Sequence, residues 1–500
     1  VAEIARKRTI NHDEAISYLS ATGHQGRFAT ANKPPVGSWV KASKWKSFTR
    51  LEKSFPFGQI GSDLAHYDIH PPLYFWLLHL WSLALGIRVW TGPSFNVFIS
   101  LLTTLALFGL AHYVLNDSLE AALVAFIWAL SPAVVSVSSD ARQYDLLALI
   151  TVLFAWQVIK CTDLRKQFLF GEFGGLLLLS AAGALTHYHF FLVALGSLAF
   201  LTARLIKKNA KRLIAALGSV GLGFVLFFLL HPQFYLSFSR QRVQAQPFAF
   251  EELTLRVRQV AEAFLFFFFG DIEFAKYVAA ALMLAFLLWA FVAVRRHQRR
   301  LIPAVVNTSE FSILYFFLWI AGTTVFLYLA FLSPMHAMGA RYLSMAWPFF
   351  AFVPVLLLRF LPKPGVTRTL VCLSMLLFAG VFVLNSGYVN NRNPDPSTLL
   401  RSSERIMVDN LARGVFPRIF WHVPDDKLIL AAPQDFLLNR PDIWLHQLEG
   451  NGVYISDLSY GNSIEKQKKI IDLIKQVYEV TTVEGGVWGV GNAVTVLKKK

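Results

Sequence analysis

Long apolar runs constrain this chain more than any other feature. Stretches at roughly 95–113, 119–135, 144–159, 168–186, 189–204, 212–230, 274–294, 312–332, 343–360 and 368–388 each approach the length that carries a helix through a bilayer, about 20 mostly apolar residues. Hydrocarbon offers no hydrogen-bond partner, so a backbone crossing it must satisfy itself, and repeated runs of this kind predict a polytopic α-helical membrane protein. Composition agrees, with 55% hydrophobic residues, 16% charged and 45 Phe. The formal charge of +16 reads as basic loops facing anionic headgroups rather than a nucleic-acid surface. Cys161 and Cys372, in a basic loop and an apolar run, suggest no disulfide framework and no thiolate metal site.

Loop charge sets the orientation. The connections 160–167, 204–212, 295–300 and 359–368 are rich in Lys and Arg and are expected on the cytoplasmic side. Counting back from them puts 136–143 and the whole of 1–94 outside, provided the short run 73–87, with His79 in its middle, lies along the surface as a juxtamembrane helix. An outside first loop needs a helix to deliver it, so the reading expects one upstream of residue 1. Residues 95–390 then form a transmembrane domain of about ten spans. After "NNRNPDPS" the composition changes, and 391–500 reads as a small α/β domain on the outer, periplasmic side. "GGVWGVG" lies between strand-like runs and is not a phosphate-binding fingerprint.

Ionisable groups beside or within membrane helices are costly unless paired, which makes them functional candidates. By this topology they collect outside. Asp13 and Glu14 lie in "NHDEAISYL", and Asp63, His66, Asp68 and His70 lie just before the Pro71–Pro72 pair. Asp140, Arg142, Tyr144 and Asp145 lie in "SSDARQYDLL", His187, Tyr188 and His189 in "THYHF", and Arg341 and Tyr342 in "GARYLSMAWP". Each group also has a plainer role: acids in a solvated first turn, capping before proline, arginines reaching to headgroups, histidines satisfied between helices. Together they suit displacement at a sugar anomeric carbon. A carboxylate takes the acceptor's proton, and arginine and imidazolium groups stabilise the leaving phosphate.

"DIHPPLYFWLLHLW" resembles the Asp-x-His-Pro-Pro-Leu signature of the protein O-mannosyltransferases and their bacterial relatives. These are C-type membrane glycosyltransferases that use polyprenyl-phosphate sugars. "DEA", "DARQYDLLAL", "THYHF" and "ARYL…WP" follow in the order of the bacterial branch, so the resemblance covers most of residues 10–360. It implies a C-type glycosyltransferase fold, Asp13 as catalytic base with Glu14 its neighbour, and Asp68 and His70 shaping the acceptor and donor pocket; spacing leaves both Asp13 and Glu14 open as the base, since adjacent helical residues point about 100° apart. It further implies Arg142, Arg341 and Tyr342 at the lipid phosphate, with His187 nearby; Asp63, His66, Asp140, Tyr144, Tyr188 and His189 complete the expected pocket. The displacement would be inverting, and the reading assigns no metal or other cofactor, although Asp and His are also ligand types for a divalent ion. Tyr74, Phe75 and Trp76 stand where eukaryotic members carry a basic residue, and the external loop 231–273 is too short for their sugar-binding-like insert. Protein mannosylation is therefore not carried over.

The expected function is transfer of a sugar from a polyprenyl-phosphate donor to a lipid, polysaccharide or protein acceptor at the periplasmic face of a bacterial inner membrane. The rival, from another class, is a transporter or lipid flippase that binds a lipid-linked sugar without chemistry. Transporters usually gather ionisable groups near the midplane and show related halves; here the acids and histidines lie in loops and no internal repeat is found.

Overall fold

The structure, a computed structural model, describes residues 7, 9–30, 34–164, 170–243, 250–270, 319–320, 322–327, 329, 340–359, 364–391, 397–448, 452–483 and 491–499. The span expected at 274–294 and the basic connection 295–300 lie outside them, and the span expected at 312–332 lies largely outside. The chain divides into two compact units that do not follow chain order. Residues 1–68, 75–93 and 389–500 form the first, and residues 69–74 and 94–388 the second.

The first unit is built on a six-stranded sheet of order β1-β3-β2-β4-β6-β5. The strands are β1 Trp39–Lys41, β2 Arg405–Val408, β3 Leu428–Ala431, β4 Val453–Asp457, β5 Tyr478–Val483 and β6 Gly491–Lys499. β2 pairs in parallel with β3 and β4, while β1 and β6 run antiparallel at their flanks. Alternation along the parallel strands sends Ile406, Val408, Ile429, Ala431, Val453 and Ile455 to one face. Met407, Leu430 and Tyr454 point to the other. Both faces are apolar and both must be covered, as usual for parallel strands. The helix Ile464–Val477 covers the second face with Ile470 and Ile474. Leu19, Phe28, Trp45 and Phe48 of the first loop cover the first face, together with Phe416, Ile419 and Phe420. Domain boundaries drawn along the sequence thus separate residues that share one core, because β1 and its flanking side chains complete a sheet whose other strands lie more than 360 residues later.

In the second unit, Thr91–Leu115, Tyr144–Thr162 and Ala210–Leu230 are long and apolar enough to cross a membrane alone, and the pair Ser118–Ala129 and Pro132–Ser138 is a fourth if taken as one span. That pair is bent by 52°. Pro132 has no N–H to continue the helix, and the Ser131 hydroxyl turns away to donate to the Phe267 carbonyl at 2.6 Å. Other expected spans are shorter helices, Phe170–Thr186 and Phe190–Leu205. The run 343–360 is broken into Trp347–Phe350 and Phe352–Arg359. Leu73–Leu85 has 13 residues, about 20 Å of helix and short of a span.

The stretch 231–273, read above as an external loop, is not irregular where it is described. It holds the helices Phe234–Val243 and Phe250–Phe269. Charges hid the second helix from a hydropathy reading, yet Arg256 is buried and donates to the Leu329 carbonyl at 2.6 Å. The phenylalanine run at its end packs against Trp347, Phe350 and Phe378.

Because Trp45 meets Phe416 edge-to-face at 4.7 Å with no exposure, Trp45→Ala should cost about 3–5 kcal/mol. Limited proteolysis in detergent should then cut 397–483 faster, although the change lies in the first loop. A C-terminal segment as resistant as before would contradict the shared core.

Candidate functional site

In the second unit, the expected phosphate residues converge. Arg142 Nη2 donates to His70 Nε2 at 3.2 Å. The His70 ring lies 6.0 Å from that of His187, which is 4.3 Å from His189 and 6.0 Å from Tyr144. The Arg341 guanidinium stands 5.9 Å from the Tyr144 ring and 5.5 Å from the Tyr342 ring, within cation–π range. Local structure positions each group. Asn96 donates its amide to the Asp140 and Arg142 carbonyls, and Tyr74 donates to Asn96 Oδ1 at 3.1 Å, so the loop carrying Arg142 is tied down by Asn96, which no motif announced, and by Tyr74 of the Pro-Pro motif.

Hydrogen bonds also set the histidine tautomers. The His189 amide donates to His187 Nδ1 at 3.1 Å, which leaves the ring proton of His187 on Nε2. His189 Nδ1 donates to the Tyr342 carbonyl at 3.2 Å. Burial, then the neighbouring His189, His70 and Arg142, push the His187 imidazolium well below its usual range, so the ring is neutral around pH 7. The expectation of a charged imidazolium gives way to a neutral N–H donor beside two arginines. Tyr188 turns aside, its ring in a cluster with Phe227 and Phe234 and its hydroxyl on Ser237 at 2.5 Å.

In the first unit, the two adjacent acids separate by role. Glu14 is fully buried; it accepts from the Asn11 amide at 2.8 Å and pairs with Lys7 at 2.9 Å, while Asn11 Oδ1 accepts from the Glu14 amide. That reciprocal pair is a capping box, so Glu14 begins the helix His12–Ala21. The Asp13 side chain keeps 20% of its exposure and lies 3.3 Å from His12 Nδ1.

Asp63 and Asp68 are also buried, for different reasons. Asp63 accepts from the Gly26 amide at 2.8 Å and Gln59 Nε2 at 2.6 Å; burial pushes its carboxyl up despite both bonds. With His66, His24, Arg27 and Glu52 it lines a cavity of about 510 Å³ that does not include Asp13. Asp68 accepts from Gln25 at 3.0 Å and faces Arg413 at 3.9 Å. His79 is held with its ring nitrogens on the Ala21 and Ser54 carbonyls.

Arg413 and Tyr460, both missed by sequence reasoning, come from loops following β2 and β4. Asp409 stitches these loops together by accepting from Gln434, Tyr454, Ser456 and the Asp457 amide. Asn410 and Asn462 complete the join by donating to the Asp457 carbonyl. In open α/β sheets, the ends of adjacent strands whose connections run opposite ways form a ligand-binding crevice, and β2 lies between β3 and β4 in this way. Among the described residues, no three His, Cys, Asp or Glu side chains gather as metal ligands.

No protein-family profile and no curated protein sequence matches the chain. Solved structures do. ArnT from Cupriavidus metallidurans in the apo state aligns over 99% of this chain and 96% of its own, at 11% identity and a TM-score of 0.51. The same protein bound to undecaprenyl phosphate aligns over the same shares, at 12% identity and a TM-score of 0.53. The fold is shared. It is a polytopic helical membrane fold with an α/β region near the carboxyl terminus.

The separation of the two acids has a measurable consequence. Asn11→Ala removes the cap and should cost about 0.5–2 kcal/mol, lowering the thermal midpoint in detergent. Asp13→Asn should stay within about 0.5 kcal/mol. Equal losses would place Asp13 in the structural framework as well.

Proposed function

We propose that this protein is a membrane glycosyltransferase that moves a sugar from a polyprenyl-phosphate donor to an acceptor hydroxyl at the periplasmic face of a bacterial inner membrane. The observation carrying the proposal is the convergence of Arg142, His70, His187, Tyr144 and Arg341 in one helical unit. Further support comes from sharing a fold with a protein crystallised with undecaprenyl phosphate.

The chemistry follows the charge. A sugar phosphodiester carries one negative charge, and the polyprenyl phosphate released carries two at full ionisation. As the C1–O bond to phosphate breaks, a guanidinium fork and a neutral imidazole N–H gain interaction energy that they lack with the intact donor, which lowers the barrier. The same change favours protonation of His187. By the motif resemblance Asp13 is the base: it takes the acceptor's proton while the acceptor's oxygen bonds to C1 on the side opposite the departing phosphate, so the anomeric configuration inverts. Glu14, committed to the capping box, serves this function only by beginning the helix that carries Asp13. His189 and Tyr342 orient the imidazole and the arginine, and the step has no role for a metal.

Purified protein given labelled polyprenyl-phosphate sugars and membrane extract should transfer label, with EDTA making no difference. Asp13→Asn should reduce the rate by about 10²–10⁴. Arg142→Ala should weaken donor binding by roughly 10–100-fold, the worth of a charge-assisted bond. Tight donor binding that Asp13→Asn leaves unchanged, with no transfer from any donor, would favour the transporter or flippase reading instead.

A further inference from the structure

The loops of the α/β domain carry two residues that act on the neighbour of the proposed base. Tyr460 has φ +56° and Gly461 φ +93°, successive left-handed residues in a tight turn. A residue with a Cβ is disfavoured there, so an observed tyrosine calls for a role. Its ring is two-thirds exposed yet lies parallel to the His12 ring, 8° off plane with centroids 5.5 Å apart, and its hydroxyl meets His12 Nε2. On the loop after β2, a Cβ added at Gly414 would fall on the same imidazole, so the backbone approaches His12 as glycine alone permits. His12 Nδ1 faces Asp13 Oδ1 at 3.3 Å. Donor counting then has one neutral solution: the phenol donates to Nε2, the ring proton sits on Nδ1, and Nδ1 donates to the carboxylate.

We propose that Tyr460 and Gly414 hold His12 as a positioning residue against Asp13, so that the carboxyl-terminal α/β domain orients the base of the transfer reaction. The inference rests on Asp13 being that base. The imidazole engages Oδ1 of the carboxylate, at 3.3 Å, and so restrains the side chain. His12 faces Asp13 on its own helix and Tyr460 across from it; Arg413, Asp457 and Asp68 are the charged groups around Tyr460. A donated N–H favours the charged carboxylate, so its loss moves the acid limb of the rate profile to higher pH. Arg413, Asp457 and Asp68 remain in every variant below, so such movement reports the lost bond.

The test uses the full chain, the polyprenyl-phosphate sugar that supports transfer, and membrane extract as acceptor, over a pH series. Tyr460→Phe keeps the ring and removes the hydroxyl; Gly414→Ala displaces His12 without touching a functional group. Both should lower the maximal rate about five- to tenfold, the worth of one hydrogen bond, with half-saturation by donor unchanged and the acid limb moved upward. His12→Gln, whose amide restores an N–H, should recover part of the rate lost in His12→Ala. Wild-type rate and pH profile in Tyr460→Phe, alongside an inactive Asp13→Asn, would overturn this inference and leave the proposed function standing. Transfer retained in Asp13→Asn would remove the base assignment and this inference together.

Discussion

A sheet whose central parallel strands carry apolar side chains on both faces cannot rest in water, and the first unit is organised around covering both. The helix Ile464–Val477 covers one face from nearby in sequence. The other is closed by Leu19, Phe28, Trp45 and Phe48, far away in the chain. Burial of such side chains is worth roughly 1.5–3 kcal/mol each, and that energy recruits the amino-terminal segment to the carboxyl-terminal domain. With the first helix committed to this core, Asp13 comes to the ends of β2 and β4, where Arg413, Gly414 and Tyr460 lie. The arrangement of the candidate base is thus a by-product of a packing requirement.

The second unit faces the opposite problem: polar groups must survive among apolar helices. It solves this by pairing. Asn96 and Tyr74 hold the loop backbone around Arg142, the arginine donates to a histidine, and the histidines bond to main-chain groups. A guanidinium held this way has little reorganisation left to do, which is the condition the proposed phosphate contact needs for effective electrostatic stabilisation.

Much of this was readable from residues alone. The apolar runs announced the helices, and the change of composition after "NNRNPDPS" announced the α/β region that holds β2 to β6. Loop charge and motif order grouped Arg142, His187 and Arg341 on one expected side; their contacts with one another came only from packing. The helix Phe250–Phe269 was not read because its charges lower the local hydropathy, although one of them, Arg256, is internally satisfied. Asn11 and Glu14 do carry the spacing of a capping box, but in isolation they read equally as a solvated acidic turn.

What the sequence determined by itself is local: which segments are helix or strand, which loops are basic, and which acids and histidines stand near apolar runs, because periodicity and charge act over a few residues. The tertiary structure decided which acid remained accessible, which nitrogen of each histidine carries its proton, and that Tyr460 meets His12 across 448 positions. Those outcomes depend on which surfaces pack together, and a face buried by a partner hundreds of residues away leaves no local mark in the chain.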